Sequence, residues 1–132
     1  MKIEDHLRNM RESLDAMEES IDRGLSERQR NIGFNASAAE IDMLEILLHK
    51  KSLIDPGFMI KHEWFNSKNK IAEKFSFEFQ KKDELFELIM KIEEKRNILC
   101  YGKPQKVEFI QEVIDNFNKL KAKFKEAGID EI

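Results

Sequence analysis

Leu85-Phe86-Glu87-Leu88-Ile89-Met90-Lys91-Ile92-Glu93-Glu94-Lys95-Arg96-Asn97-Ile98-Leu99-Cys100-Tyr101-Gly102-Lys103-Pro104 decides the fold. Leu85, Ile89, Ile92 and Leu99 recur at helical spacing and draw one apolar stripe. Arg96 interrupts that stripe, and Gly102 with Pro104 stops the helix. A striped helix must bury its apolar side against other elements. An arginine on the same stripe needs a partner or a solvent-filled groove, because an unpaired buried charge is costly.

The helical period continues in both directions. Upstream, Ile3, Leu7, Met10, Leu14, Met17 and Ile21 alternate in steps of four and three, which predicts a helix from Lys2 to Arg23 ended by Gly24. Ser26 and Gln29 resemble a capping box for a second helix from Glu27 to about Lys51. That helix is apolar over a much wider arc, from Ile32 and Phe34 through Ala36, Ala38 and Ala39 to Leu48. Its small residues allow a neighbour to approach closely. It reads as the central helix of a bundle, or as one that faces both a core and a second subunit.

Asp55-Pro56-Gly57 is a turn signal. A third helix is expected from Ile60 to Phe75, with Ile60, Trp64, Ile71 and Phe75 inward and a polar middle, Asn66 to Lys70, that permits a break. Phe75, Phe77 and Phe79 alternate with polar residues, but a lone strand has no partner here, so they read as a connector anchored by aromatics. The fourth helix spans Lys82 to Cys100. The fifth spans Lys106 to Ala127, with Phe109, Val113, Phe117 and Phe124 inward and Gly128 at its end. The expected architecture is one all-α domain over residues 1–132. It is an antiparallel up-and-down bundle of four long helices plus a shorter or broken one.

Composition agrees. The 132 residues are 41% hydrophobic and 37% charged, with two prolines and five glycines, and suit one core. A net charge of -3 argues against a broad non-specific nucleic-acid surface and leaves room for a local basic groove. The single Cys100 allows no internal disulfide and no cysteine-rich metal site, fits a reducing compartment, and reads as a buried structural thiol. No apolar run approaches the roughly 18 residues of a membrane span, and no signal-like segment follows Met1, so a cytoplasmic protein is expected.

The candidate chemistry is sparse. His6, His49 and His62 show no zinc-motif spacing, the paired Glu-x-x-His of a di-iron bundle is missing, and Gly102-Lys103-Pro104 is not a phosphate loop. No metal or cofactor is expected. His6 and His49 are expected at the surface, and His62, beside Trp64 after a turn, is a groove candidate.

Arg96 is the strongest candidate, with five donors to satisfy. Three readings stay open: a buried carboxylate partner, a phosphate in a dimer groove, or a stem that snorkels to solvent. Glu93 shares a face with Asn97 and can bond to it, or help orient Arg96 together with Glu94. Tyr101 lies about 140° round an ideal helix from Arg96. The two converge only if the helix end unwinds or two copies meet about an axis.

With these residues in view, the chain resembles the minimal HEPN superfamily (higher eukaryotes and prokaryotes nucleotide-binding domains). The likeness runs over nearly the whole chain: a long first helix, an alanine-bearing second, a polar intermediate one, and a fourth ending in Arg96-Asn97-Ile98-Leu99-Cys100-Tyr101-Gly102. The family signature is an arginine, commonly followed by asparagine, and then a histidine after a short spacer. Arg96 and Asn97 match its start, whereas Tyr101, Gly102 and Lys103 fill the histidine window.

The resemblance implies a homodimer with a composite site at its interface. It also implies metal-independent endoribonuclease relatives, often toxins paired with a minimal nucleotidyltransferase antitoxin. Carried onto this chain, it makes Arg96 and Tyr101 the catalytic candidates and Arg96, Asn97 and Lys103 ligand-binding candidates, to which the groove candidate His62 is added by its position beside Trp64. Glu93 and Glu94 are the orienting ones. A phenol holds its proton near neutral pH and is a poor general base. The first expectation is therefore a non-catalytic nucleotide- or partner-binding module working with a nucleotidyltransferase. The alternatives are an endoribonuclease with an Arg/Tyr site and a purely structural helical dimer.

Overall fold

The computed structural model describes residues 1–132. It contains α1 (Ile3–Arg23), α2 (Gln29–Lys50), a 3-10 turn (His62–Asn66), α3 (Lys68–Lys74), α4 (Lys82–Tyr101) and α5 (Val107–Ala127), and no strand. No helix is long and apolar enough to cross a membrane.

Side-chain pairings give the directions. His6 at the start of α1 meets Asp42 and Glu45 near the end of α2, so these two helices are antiparallel. Ser37 of α2 bonds Glu93 of α4, while Gln29, two turns earlier, reaches the carbonyls of Leu99 and Lys103; α2 and α4 also run oppositely. Lys95–Glu112 and Glu84–Lys123 pair α4 with α5 in the same antiparallel sense. The bundle is thus up-and-down, as its stripes predict.

α2 is the central helix. It packs on α1, α4 and α5 at once, which explains why its apolar arc is so wide. Ile32, Ala36, Ala39, Met43, Leu44 and Leu47 are all buried within this one chain. The breadth that suggested a second subunit is absorbed by three neighbouring helices. Gly33 marks the closest approach: a Cβ there would stand 2.8 Å from the Cβ of Leu99 and 3.2 Å from Cys100 Sγ. Cys100 is buried, as expected of a structural thiol.

Gly24 ends α1 at φ 129°, with its N–H on the carbonyls of Ser20 and Ile21. The anticipated capping box does not form. α2 begins at Gln29 rather than Glu27, no side chain caps it, and the Gln29 amide is used elsewhere. Its Nε2 donates to the carbonyls of Leu99 (3.3 Å) and Lys103 (3.1 Å), and its Oε1 accepts from the N–H of Gln105 (2.8 Å). A buried amide with three long-range bonds satisfies more polar groups than a local cap would.

The stretch read as a helix from Ile60 to Phe75 is broken at Ser67, within its polar middle. Ser67 is extended and its Oγ accepts from the N–H of Lys70, capping α3 (3.1 Å). Phe75 is fully buried and gathers Trp64, Phe65 and Phe86 within ring separations of 5.7, 5.8 and 4.8 Å. Lys82 Nζ donates to the carbonyls of Phe75 and Phe77 at 2.7 and 2.8 Å, so the connector's polar backbone is held without a strand partner. Burying a ring like Phe75 contributes roughly 1.5–3 kcal/mol, which fixes this crossover on the bundle.

Candidate ligand-binding site

The C-terminal half of α4 faces α2 across a polar seam that opens at the surface. Arg96 is half-buried. Its Nε is enclosed without a partner, and its guanidinium carbon lies 5.5 Å from the centre of the Phe34 ring. Arg30, one turn before Phe34 on α2, sits 5.4 Å from the same ring and 5.7 Å from that of Tyr101. Phe34 and Tyr101 meet edge to face at 5.7 Å. Two guanidinium groups therefore flank one phenyl ring, and neither joins a carboxylate in an ion pair. The nearest side-chain acceptor of Arg96 is Asn97 Oδ1, at a long 3.5 Å.

This arrangement resolves the geometry of Arg96 and Tyr101 in a way the helical wheel does not suggest. α4 stays helical through Tyr101, so no unwinding brings the two together. Phe34 bridges them instead. Tyr101 is 65% exposed and lines a cavity of about 410 Å³. Asn97 and Lys103 are exposed nearby; the Lys103 carbonyl is taken by Gln29.

Behind this surface, four polar side chains pack together. Ser37 Oγ donates to Glu93 Oε2 at 2.6 Å, and His62 Nδ1 makes a short contact with Glu93 Oε1. A carboxylate accepts, so Nδ1 of His62 is the donating nitrogen of this pair. The side chain of His62 is 43% exposed. This is not a serine triad. Ser37 is buried, gives its proton to the acid, and lies 3.1 Å from the same Nδ1 that Glu93 holds. Glu93 orients His62, not Asn97. Glu94 is exposed and lines a different groove with Lys68 and Met90, so it does not join the site.

Glu40 completes the seam. It is fully buried, and neither carboxylate oxygen has a partner. Burial, then the adjacent Glu93 charge, hold its carboxyl well above the usual carboxylate range; Arg96 pulls weakly the other way. Protonated, Glu40 can donate its one O–H to Glu93, which gives one of its two oxygens a partner.

A second polar cluster joins α1 to α2. His6, expected at the surface, is only 3% exposed. Its Nδ1 is 2.8 Å from Asp42 Oδ1 and its Nε2 is 3.1 Å from Glu45 Oε2. His49 is half-buried rather than free. His6 falls three residues after Ile3 and four before Met10, so its stripe position was readable. Glu40 likewise interrupts an apolar run. Phe34 and Arg30 carried no such signal, because the α4 residues they meet, Arg96 and Tyr101, are about 60 residues or more away.

Comparison with family models, with curated proteins and with solved structures returns no match for this chain.

Proposed function

We propose that this protein is a non-catalytic helical module that binds a phosphate-bearing ligand, a nucleotide or a short single-stranded RNA, at the Arg96–Phe34–Arg30–Tyr101 surface. The observation that carries this reading is the pair of unneutralised guanidinium groups on one phenyl ring. Both guanidinium groups lie beside that ring without a carboxylate partner, so an anion bound there would be attracted by both. Arginine forks suit phosphate oxygens. The exposed Tyr101 ring offers a base a stacking face, which is sequence-tolerant. Lys103 adds positive potential at the rim.

The HEPN-like order of helices supports the same reading and names the partner class, a minimal nucleotidyltransferase. It also supports a homodimer. Ile98, Tyr101 and Val107 are large exposed apolar residues at this end of the molecule, and a symmetric pairing there would bring two Arg96 side chains to one groove.

Fluorescence polarisation with labelled oligouridine and with ATP tests the site. Binding should fall about tenfold for Arg96→Ala and for Arg30→Ala, and should weaken with salt. Absence of binding to both probes, or binding indifferent to both substitutions, would sink the reading. Light scattering at micromolar concentration should report twice the 15.7 kDa chain mass; a strictly monomeric protein removes the shared groove.

A second reading, a metal-independent endoribonuclease, is favoured by the Glu93–His62 pair. His62 Nε2 could take the proton of a ribose 2'-hydroxyl while the 2'-oxygen attacks phosphorus, forming a 2',3'-cyclic phosphate, and the 5'-oxygen leaves as the alcohol with a proton from water. Arg96 would stabilise the charge on the phosphate. Cellular RNA incubated with chelator is the assay. Cleavage lost in both His62→Ala and Arg96→Ala would replace the binding-only reading with this one.

A further inference from the structure

The seam behind the phosphate site holds charge that its hydrogen bonds leave unsettled. Ser37 and Glu40 share one face of α2, and Glu93 and Arg96 share one face of α4. Both oxygens of Glu93 are engaged, Oε2 by the Ser37 hydroxyl at 2.6 Å and Oε1 by His62 Nδ1. Glu40 is fully buried with no partner for either oxygen, and Arg96 Nε is buried with none either. An acid and a base thus lie unpaired in one seam. Arg96 extends from it to the surface, where its guanidinium carbon is 5.5 Å from the centre of the Phe34 ring.

The charges that act on Glu40 come from α4. Burial and then the Glu93 charge favour its neutral form, and Arg96 favours the carboxylate. Arg96 is therefore the charge that draws the proton off Glu40. An anion seated on Arg96 offsets that pull, so a bound phosphate lets the acid keep its proton. The coupling is reciprocal: a proton on Glu40 favours the anion by the same factor. Two other titratable groups border the seam. His62 touches Glu93, and Cys100 lies near Arg96 and Arg30 with its thiol pushed up by burial, which keeps it neutral.

We infer that the buried Glu40 carboxyl gates the phosphate site: the ligand binds while Glu40 holds its proton, and an ionised Glu40 competes with the ligand for the Arg96 charge. This inference rests on the phosphate-binding reading and adds the regulation of that site. At low pH Glu40 is protonated with or without ligand, and affinity is flat. As pH rises and the free protein loses that proton, each binding event must return it to Glu40, so affinity falls. The competing account is an acid that stays neutral at every working pH and plays no part in binding.

Isothermal calorimetry tests this with the full chain and an oligoadenylate lacking terminal phosphates, whose diesters and bases do not titrate from slightly acid to mildly alkaline pH. Runs in buffers of different ionisation enthalpy should show net proton uptake on binding, and affinity should fall about fivefold over that range. Glu40→Gln, nearly the same shape and neutral at every pH, should take up no proton and hold a flat affinity, with helicity checked by circular dichroism. His62 gains charge as pH falls and would also attract an anion, so His62→Gln should keep the alkaline loss. Parallel affinity profiles in the unsubstituted chain and Glu40→Gln, or a loss abolished by His62→Gln alone, would overturn the inference. So would binding without proton uptake in the unsubstituted chain, which leaves the phosphate site standing and removes only the gate. Absence of binding at every pH removes the site and the gate with it.

Discussion

α2 buries two glutamates that meet burial differently. Glu45 faces α1, where the Ile60 N–H and the His6 ring lie against its two oxygens. Glu40 faces α4, where its oxygens have no donor and its strongest neighbour is another carboxylate. Burial raises both carboxyls, but for Glu45 the backbone donor and His6 oppose the rise, whereas Glu40 has only the weaker pull of Arg96. The contrast shows that depth alone does not set the charge of a buried acid; the donors aimed at it do.

The largest effect should come from breaking the compensated side. His6→Ala leaves Asp42 and Glu45 facing each other and should cost about 3–5 kcal/mol in urea unfolding at neutral pH. A loss below about 1 kcal/mol would mean that His6 does not compensate these acids, and the contrast would collapse. Next is the close α2–α4 contact on the uncompensated side. Gly33→Ala forces a methyl against Leu99 and Cys100 and should cost about 1–3 kcal/mol. An unchanged stability would show slack in the α2–α4 contact.

The third probe is pH. Native Glu40 keeps its proton to higher pH than the unfolded chain does. Its neutral form therefore contributes stability that is present below the unfolded carboxyl range and lost as pH rises through the folded value. Glu40→Gln should remove that decline when unfolding is followed from about pH 5 to pH 8, leaving the shallower contribution of Glu45. A parallel pH profile for the two proteins would place the proton elsewhere. The smallest effect belongs to Tyr101→Ala, which should shift stability by less than about 0.5 kcal/mol while weakening RNA binding.

The bundle was legible because its signal is local and periodic. The stripes of α1 and α5 each point one way, and the all-round apolar character of α2 marks a helix with neighbours on several sides. The site was legible only where one helix carries it. Arg96 stood out as a charge on a stripe, and Tyr101 as its neighbour across a helix end. Their bridge, Phe34, lies on another helix and looked like ordinary core. His6 was misplaced because a polar residue on a stripe was read by its type rather than by its position. Gln29 was misread for a related reason: its local cap pattern lost to three bonds made across about 70 residues or more.

The aromatic crossover between α2 and α4 has a spectroscopic consequence. The chain has one tryptophan, and it lies there, edge-on to Phe58 and Phe75 with the Lys74 ammonium 5.3 Å from its ring centre. Tryptophan emission consequently reports on this segment alone, while helical circular dichroism reports on the four long helices. Coincident transitions mean that the crossover melts with the bundle; an earlier fluorescence transition identifies it as a separately opening unit. The protein thus carries, without labelling, a local thermometer on the one stretch where its helices are interrupted.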